Sequence, residues 1–436
     1  MLVKIRKLIL DAFPVLREIK RQLVWQPFLR DWARTAARLD QMPRVNRVGP
    51  TRHLLIVPSD PYFLVGSCGD QAMIGALVSV VRKINPDILI SIVTATEIAD
   101  GKAKEIGLMP VRIWHKAMNP DAVSAALEEI SPDSLAAIGA DVMDGYYNSL
   151  QPMQMTMFAD LAVRRGARAA ILGFSFNTSP PPSLRQAFKQ AHPDVSFFVR
   201  EQDSLERFTR FIDVKAELVA DLAFLLKPAE GTADEEAVRT WVDDRHAKGD
   251  TVLAFNIHPM LIKDATQGQI DRLIHAGERV VRRISACRKV SWLILCHDFR
   301  EGVGDDLCLV PLAERLRNGG MDNLFLPPGE HTAAEIKGMV RHADAVVTGR
   351  MHLAIGSLSM GLPILAITYQ SKFAGLFAHF GLPEWAMVPP EGLEDTDAMT
   401  DLVVRFVENL DDLRSRVAEN LPQVLAFSNK NFTFLQ

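Results

Sequence analysis

The chain has 436 residues, 48% of them hydrophobic and 23% charged, with a formal net charge of -4. That length exceeds what one hydrophobic core usually serves, so two domains are the default, and the composition is that of an ordinary globular protein. The acidic balance argues against nucleic acid as the main partner, since such proteins carry a basic face.

The four cysteines, Cys68, Cys287, Cys296 and Cys308, form no C-x-x-C pair. Zinc-ribbon and thioredoxin-type readings therefore fail, and the thiols fit a reducing compartment. No apolar run is long enough to span a bilayer. Lys4, Arg6, Lys7 and Asp11 break the N-terminal apolar run, so it lacks a signal-peptide pattern. A cytoplasmic location is expected.

Residues 1–50 hold eleven Lys/Arg against four Asp/Glu, a local balance of +7. Leu2, Ile5, Leu8 and Ile9 share a helical face, and Phe13, Val15, Leu16 and Ile19 continue it beyond Pro14. Two placements fit this basic helical extension. It lies on an anionic membrane surface through residues 1–40, at the inner face of the membrane, or it packs on the body of the protein or on a second copy.

Strands alternate with helices from there on. His53 to Pro58 is the first strand, Val65-Gly-Ser-Cys-Gly-Asp70 a glycine-bearing turn, and Ala72 to Val81 a helix. Further strands are expected at 88–93, 134–138, 168–172, 195–200 and 216–220, with a helix over 153–165. The charged stretch 228–250 reads as an interdomain segment containing a short helix over 235–246. A second series follows, with strands at 251–255, 290–295, 324–326, 345–347 and 363–367 and helices at 269–286, 307–318 and 333–342. This pattern means α/β architecture: two doubly wound, Rossmann-like domains, 51–227 and 251–436, facing a central cleft between the carboxyl ends of their strands.

The chemistry concentrates in Ala345 to Lys372. A buried strand runs into Thr348-Gly349, then Arg350 and His352 stand at the mouth of a small-residue helix (353–360), and Gly361-Leu-Pro363 leads into another strand. A helix start favours anions, Arg offers a fork for phosphate or carboxylate, and His exchanges protons near neutral pH. Tyr369, Gln370 and Lys372 emerge at the next strand end. The alternative is a structural one, with Arg350 bracing a carboxylate and His352 capping the helix.

Arg350-Met-His352 in this context resembles the signature of the polysaccharide pyruvyl transferase family. Gly66-Ser-Cys-Gly-Asp70, Arg200-Glu-Gln-Asp-Ser204, Asp221-Leu-Ala-Phe224 and Cys296-His-Asp298 with Asp305-Asp306 agree with it in order. Cys296 departs from the Pro usual before that histidine, and Gly66-Ser67 from a common Asn. The resemblance spans roughly 53–380 and implies a fold similar to the GT-B glycosyltransferases. It also implies transfer of the enolpyruvyl group of phosphoenolpyruvate onto a sugar diol of a surface polysaccharide or its precursor. The products are a cyclic pyruvate ketal and phosphate, and exopolysaccharide biosynthesis is the setting.

For that chemistry Arg350 and Arg200 are the expected anion grips, one from each domain, the alternative for Arg200 being a surface residue in a charge network with Asp203. His352 is the expected general acid/base and His297 the second candidate. Asp70 either accepts a sugar hydroxyl or caps the helix at Ala72, the cap being favoured because Asp is a preferred N-cap. Asn256 and His258 follow the first strand of the second domain and are expected to line the cleft, with Tyr369 and Lys372 contributing to substrate binding. Asp305-Asp306 reads as a solvated turn. No metal and no cofactor beyond the donor substrate is expected, because no third ligand stands at recognisable spacing. The acceptor is a sugar, lipid-linked or soluble, and the oligomeric state is open, a homo-oligomer included. The alternatives are a GT-B transferase using a nucleotide sugar and a non-catalytic glycan-binding member.

Overall fold

The computed structural model describes residues 14–43, 47, 49–368 and 372–436, with the side chains of 14–24 and of residue 372 outside the description. Helix α1 (Pro14–Asp40) opens it. Trp25, Phe28, Leu29, Trp32, Ala36 and Leu39 recur at helical spacing and are all buried. Trp32 Nε1 donates to the buried Asp160 carboxylate at 2.6 Å. The described side chains of the extension thus pack on the body of the protein, whereas its most basic amphipathic stretch, around residues 2–13, lies outside the described residues. No helix among the described residues is long and apolar enough to cross a membrane.

The first half runs β1 (His53–Val57), α2 (Cys68–Ile84), β2 (Leu89–Thr94), α3 (Glu97–Glu105), β3 (Met109–Arg112), α4 (Pro120–Ile130) and β4 (Ser134–Ile138). It continues with α5 (Leu150–Arg164), β5 (Arg168–Phe174), α6 (Ser183–Gln190), β6 (Ser196–Val199), α7 (Gln202–Phe211) and β7 (Ala216–Leu218). All seven strands are parallel, in the order β3-β2-β1-β4-β5-β6-β7. In β1, Leu54 and Ile56 enter one core while Leu55 and Val57 enter the other. Burial on both faces is what helices on both sides of a parallel sheet impose. Strand β3 was not expected. It carries Pro110 and exposes Met109, which an edge strand tolerates.

The second half runs α8 (Ala233–Ala247), β8 (Thr251–Asn256), α9 (Gln267–Cys287), β9 (Val290–Ile294), α10 (Asp306–Asn318), β10 (Leu324–Phe325) and α11 (Ala333–Val340). Then come β11 (Ala345–Thr348), α12 (Met351–Ser359), β12 (Ile364–Ile367), α13 (Lys372–Phe380), β13 (Met387–Val388), α14 (Thr396–Glu408) and α15 (Leu410–Asn429). Its sheet is also parallel, ordered β10-β9-β8-β11-β12-β13.

Two segments depart from the expected division. Helix α8, within the stretch read as interdomain, packs on β8 and α11 and so belongs to the second half. The C-terminal residues, expected to stay in the second half, cross back to the first. Helix α15 packs on the turn Leu222–Leu225, and the terminal Lys430–Leu435 turn covers β5. Ser428 Oγ donates to Asp221 O at 2.7 Å and Asn431 Nδ2 to Ala220 O at 2.9 Å. From the second half, the buried Lys337 donates to the carbonyls of Phe224 and Leu226. These contacts fasten the two halves around the cleft.

Candidate active site

A cleft of about 270 Å³ opens between the carboxyl ends of the two sheets, where open α/β sheets place ligands. The loop after β1 supplies Ser59 and Asp60, the first turn of α2 supplies Asp70, and the loop after β4 supplies Asp141. Arg200 follows β6, and His297, Asp298 and Arg300 follow β9. Arg350 follows β11, and His352 stands in the first turn of α12. Five predicted residues from separate elements, Asp70, Arg200, His297, Arg350 and His352, therefore meet in one cavity.

Both predicted arginines arrive already held by carboxylates. Arg200 is buried; its Nε donates to Glu201 at 2.9 Å and Ser175 at 2.8 Å, and Nη1 to Asp221 at 2.6 Å. It does not join Asp203, which pairs with Arg207 instead. Arg350 donates from Nε and Nη2 to Asp305 Oδ1 at 2.8 and 2.6 Å, with Nη1 3.1 Å from Asp298 Oδ2. Asp305 is no solvated turn. It is fully buried and also accepts from the His297 N–H at 2.8 Å and Asn256 Nδ2 at 2.7 Å. Burial raises its pKa against the pull of Arg350. Burial would raise Asp298 too, but Arg300 and Arg350 together hold it below the usual carboxylate range.

What the guanidinium groups have left is informative. Arg200 Nη2 rests on Met351 Sδ at 3.9 Å; Arg300, held by Asp298 through Nε at 3.0 Å and Nη2 at 2.5 Å, also turns Nη2 to Met260 Sδ at 3.7 Å, and Arg350 Nη1, beside Asp298, reaches the same sulfur at 3.4 Å. A thioether is a weak acceptor. The carboxylates fix the orientation of each fork, and the N–H groups turned to sulfur remain available to a stronger acceptor.

His352 lies against Gly69, and a Cβ at that glycine would fall 2.5 Å from His352 Nδ1. Its Nε2 is 3.8 Å from Asp221 Oδ2, the carboxylate that also holds Arg200. The helix-cap alternative does not hold, since the N-cap of α12 is Arg350 and no side chain caps it. His297 lines the cleft, and burial together with His352 and Arg350 pushes its pKa down to about 3, so the ring is neutral at physiological pH. His258 and Asn256 do not reach the cleft; both are fully buried. Burial and Arg350 push His258 well below its ordinary pKa. Asn256 ties three strand ends together, through Leu295 O at 3.0 Å, Asp305, and Thr348 Oγ1 at 3.1 Å.

Asp70 is not the helix cap. Ser67 occupies that position and accepts from the Asp70 N–H at 3.2 Å. The Asp70 carboxylate accepts from Ser59 Oγ at 2.5 Å and Ser67 Oγ at 2.6 Å and faces the cleft. Burial raises it to about 6 despite those bonds, with Asp60 and Asp141 pushing the same way. Tyr369 and Gln370 lie outside the described residues, as does the side chain of Lys372.

The family model for polysaccharide pyruvyl transferase matches residues 68–371, most of both domains and every cleft residue named above except Ser59 and Asp60. The chain belongs to that family. Among solved structures, a putative UDP-N-acetylglucosamine 2-epimerase from Listeria monocytogenes aligns with TM-score 0.57 at 10% identity, over 87% of this chain and 94% of that one. A glycosyltransferase from Rickettsia africae aligns with TM-score 0.52 at 9% identity, over 88% and 97%. The UDP-GlcNAc 2-epimerase from Neisseria meningitidis gives 0.51 at 11%, over 87% and 97%. At such identities the likeness is one of fold, the two-domain GT-B arrangement. No curated protein sequence matches the chain.

In this pyruvyl transferase the cleft residues that sequence reasoning missed include Asp60, Asp141, Met260 and Arg300, while Asp298 was read as part of the Cys296-His-Asp298 segment without a role of its own. Asp141 and Arg300 carried a usable signal, since each follows a predicted strand by a few residues, where this architecture builds its sites. Among the described residues no group of three or more His, Cys, Asp or Glu is arranged to hold a metal ion.

Proposed function

We propose that this enzyme transfers the enolpyruvyl group of phosphoenolpyruvate onto two hydroxyls of a sugar, forming a cyclic pyruvate ketal and releasing phosphate. The observation that carries the reading is the set of three arginines, each with an N–H turned to methionine sulfur, around a cleft that also holds His352. A donor with a carboxylate and a phosphate close together needs several oriented cationic donors.

The chemistry divides as follows. His352 delivers a proton to the methylene carbon, making the adjacent carbon electrophilic. A sugar hydroxyl adds there, and its proton passes to a carboxylate, the role proposed for Asp70. Phosphate then departs and the second hydroxyl closes the ketal, its proton leaving with the phosphate. Asp70 then returns its proton to His352 through solvent, and the net change is one donor and one diol giving ketal and phosphate. Neutral His297 serves as a hydrogen-bonding wall. No step runs through a metal, so activity surviving chelator treatment is expected. We place the reaction in the cytoplasm, at the inner membrane face where the acceptor is lipid-linked.

The test is phosphate release from phosphoenolpyruvate with lipid-linked and soluble glycans. A nucleotide-sugar transferase would release nucleotide instead. His352→Ala should abolish turnover while keeping the thermal stabilisation by phosphoenolpyruvate, and Arg350→Ala should lose that stabilisation. Full activity in both variants would refute the assignment.

A further inference from the structure

The chain has four tyrosines, and two of them, Tyr146 and Tyr147, stand side by side and exposed (56% and 53%). Their rings meet edge to face at 5.1 Å. They form the wall of a second cavity of about 180 Å³, which joins the catalytic cleft through the shared residues Asp141 and Tyr147. Phe176, Asn177, Asp144 and Asp203 also line it. Tyr147 donates to Asp141 at 3.1 Å, so one wall residue is oriented by a carboxylate common to both cavities.

We propose that this cavity is a saccharide subsite for the neutral sugar next to the one that is modified, so that the acceptor is an oligosaccharide. The proposal rests on the reading above, that the cleft works on a glycan. An amphipathic aromatic wall supplies rigid contact area to the C–H face of a sugar ring, and carboxylate and amide groups bridge its hydroxyls. The volume is below the roughly 300 Å³ of pockets that hold drug-sized ligands, and it suits one ring. Asp141, Asp144 and Asp203 contribute negative charge, and Arg207 is tied to Asp203 at 3.3 Å. Lys263, whose Nζ stands 5.8 Å over the Tyr146 ring, and Arg207 offset part of that charge, but with Glu201 also in the lining the acids outnumber them, which disfavours a phosphate linker there. The glycan therefore extends from the cleft into this cavity by its uncharged side, with any phosphate-bearing end directed elsewhere.

The test is an array of defined neutral oligosaccharides and their component monosaccharides, probed with the full chain. Retention of at least one oligosaccharide above its monosaccharides is expected. Tyr146→Ala, which touches only the second cavity, should weaken that retention by about tenfold, the size of one aromatic contact. Tyr147→Phe should keep most of it. Failure of phosphate release with intact tyrosine-dependent binding would sink the reaction and leave the subsite. No oligosaccharide retained above its monosaccharides, or equal binding by Tyr146→Ala, would overturn the subsite. Both tyrosines are exposed, so a melting temperature matching the parent confirms that the variants fold.

Discussion

Gly69→Ala isolates the positioning of His352. A methyl group at residue 69 would lie 2.5 Å from His352 Nδ1, 2.9 Å from Cε1 and 3.0 Å from Cγ. Ordinary contact between such atoms begins near 3.5 Å, so the imidazole must retreat by about 1 Å. A misplacement of about 1 Å is enough to cost on the order of 100-fold in rate. Residue 69 is in the first turn of α2, where alanine is a better helix former than glycine by roughly 0.5–1 kcal/mol. The variant should therefore melt within a few degrees of the parent yet lose about 100-fold in turnover, measured as phosphate release from phosphoenolpyruvate with acceptor. Parent-like turnover would refute a proton-transfer role for His352 in this orientation. Equal loss of turnover and melting temperature would show that the glycine serves only packing.

Three further outcomes follow from the buried charges. Asp305→Ala strips Arg350, Asn256 and the His297 N–H of one shared acceptor, and breaking a buried ion pair costs about 3–5 kcal/mol, so the first urea transition should fall sharply; a loss under about 1 kcal/mol would contradict the clamp. Asp70 has a folded pKa of about 6, above the roughly 3.9 of an unfolded aspartate, so the native state binds the extra proton and stability falls as pH rises from about 4 to about 6. Asp70→Asn should flatten that slope and gain about 1–2 kcal/mol at pH 7, less than the full two-unit value because the carboxyl faces the cleft. Lys337, lowered to about 8 by burial, leaves the native state with fewer protons than the unfolded chain above that pH. Stability should thus rise by about 1–3 kcal/mol between pH 8 and about 10, and Lys337→Met should lose the rise in urea titrations at each pH.

The fold was legible because parallel strands buried on both faces read as short apolar runs, and eleven of the thirteen strands of the two sheets were read that way. Strands β3 and β13 escaped because one is a half-exposed edge containing proline and the other has two residues. Strand ends led to Arg200, His297, Arg350 and His352, which do line one cleft, but the same rule also picked the fully buried Asn256 and His258 and passed over Asp141 and Arg300. The electrostatics of the cleft were not legible. The partners of Arg350 stand 45 and 52 residues away, and the one in Asp305-Asp306 looked like a polar turn because sequence gives a side chain's type, not its direction.

That hidden half changes how the cleft works. Bare arginines in a loop would have to be ordered by the ligand, losing side-chain entropy at the moment of binding. Here Glu201, Asp221, Asp298 and Asp305 order them in advance, and the matching negative charge keeps three guanidinium groups together without mutual repulsion. In the proposed reaction the incoming donor anion meets N–H groups whose orientation is already set and whose contact beyond the carboxylates is methionine sulfur. Four carboxylates against three guanidinium groups leave no net positive charge, so the arrangement supplies oriented donors, not bulk positive potential, and preorganised donors are what stabilise developing charge most effectively. Asp221 extends the same logic to the proton, since one carboxylate fixes Arg200 and faces His352. In the proposed reaction the donor grip and the acid–base group thus share one residue of the first half, while His352 comes from the second, so both halves would be needed to assemble them.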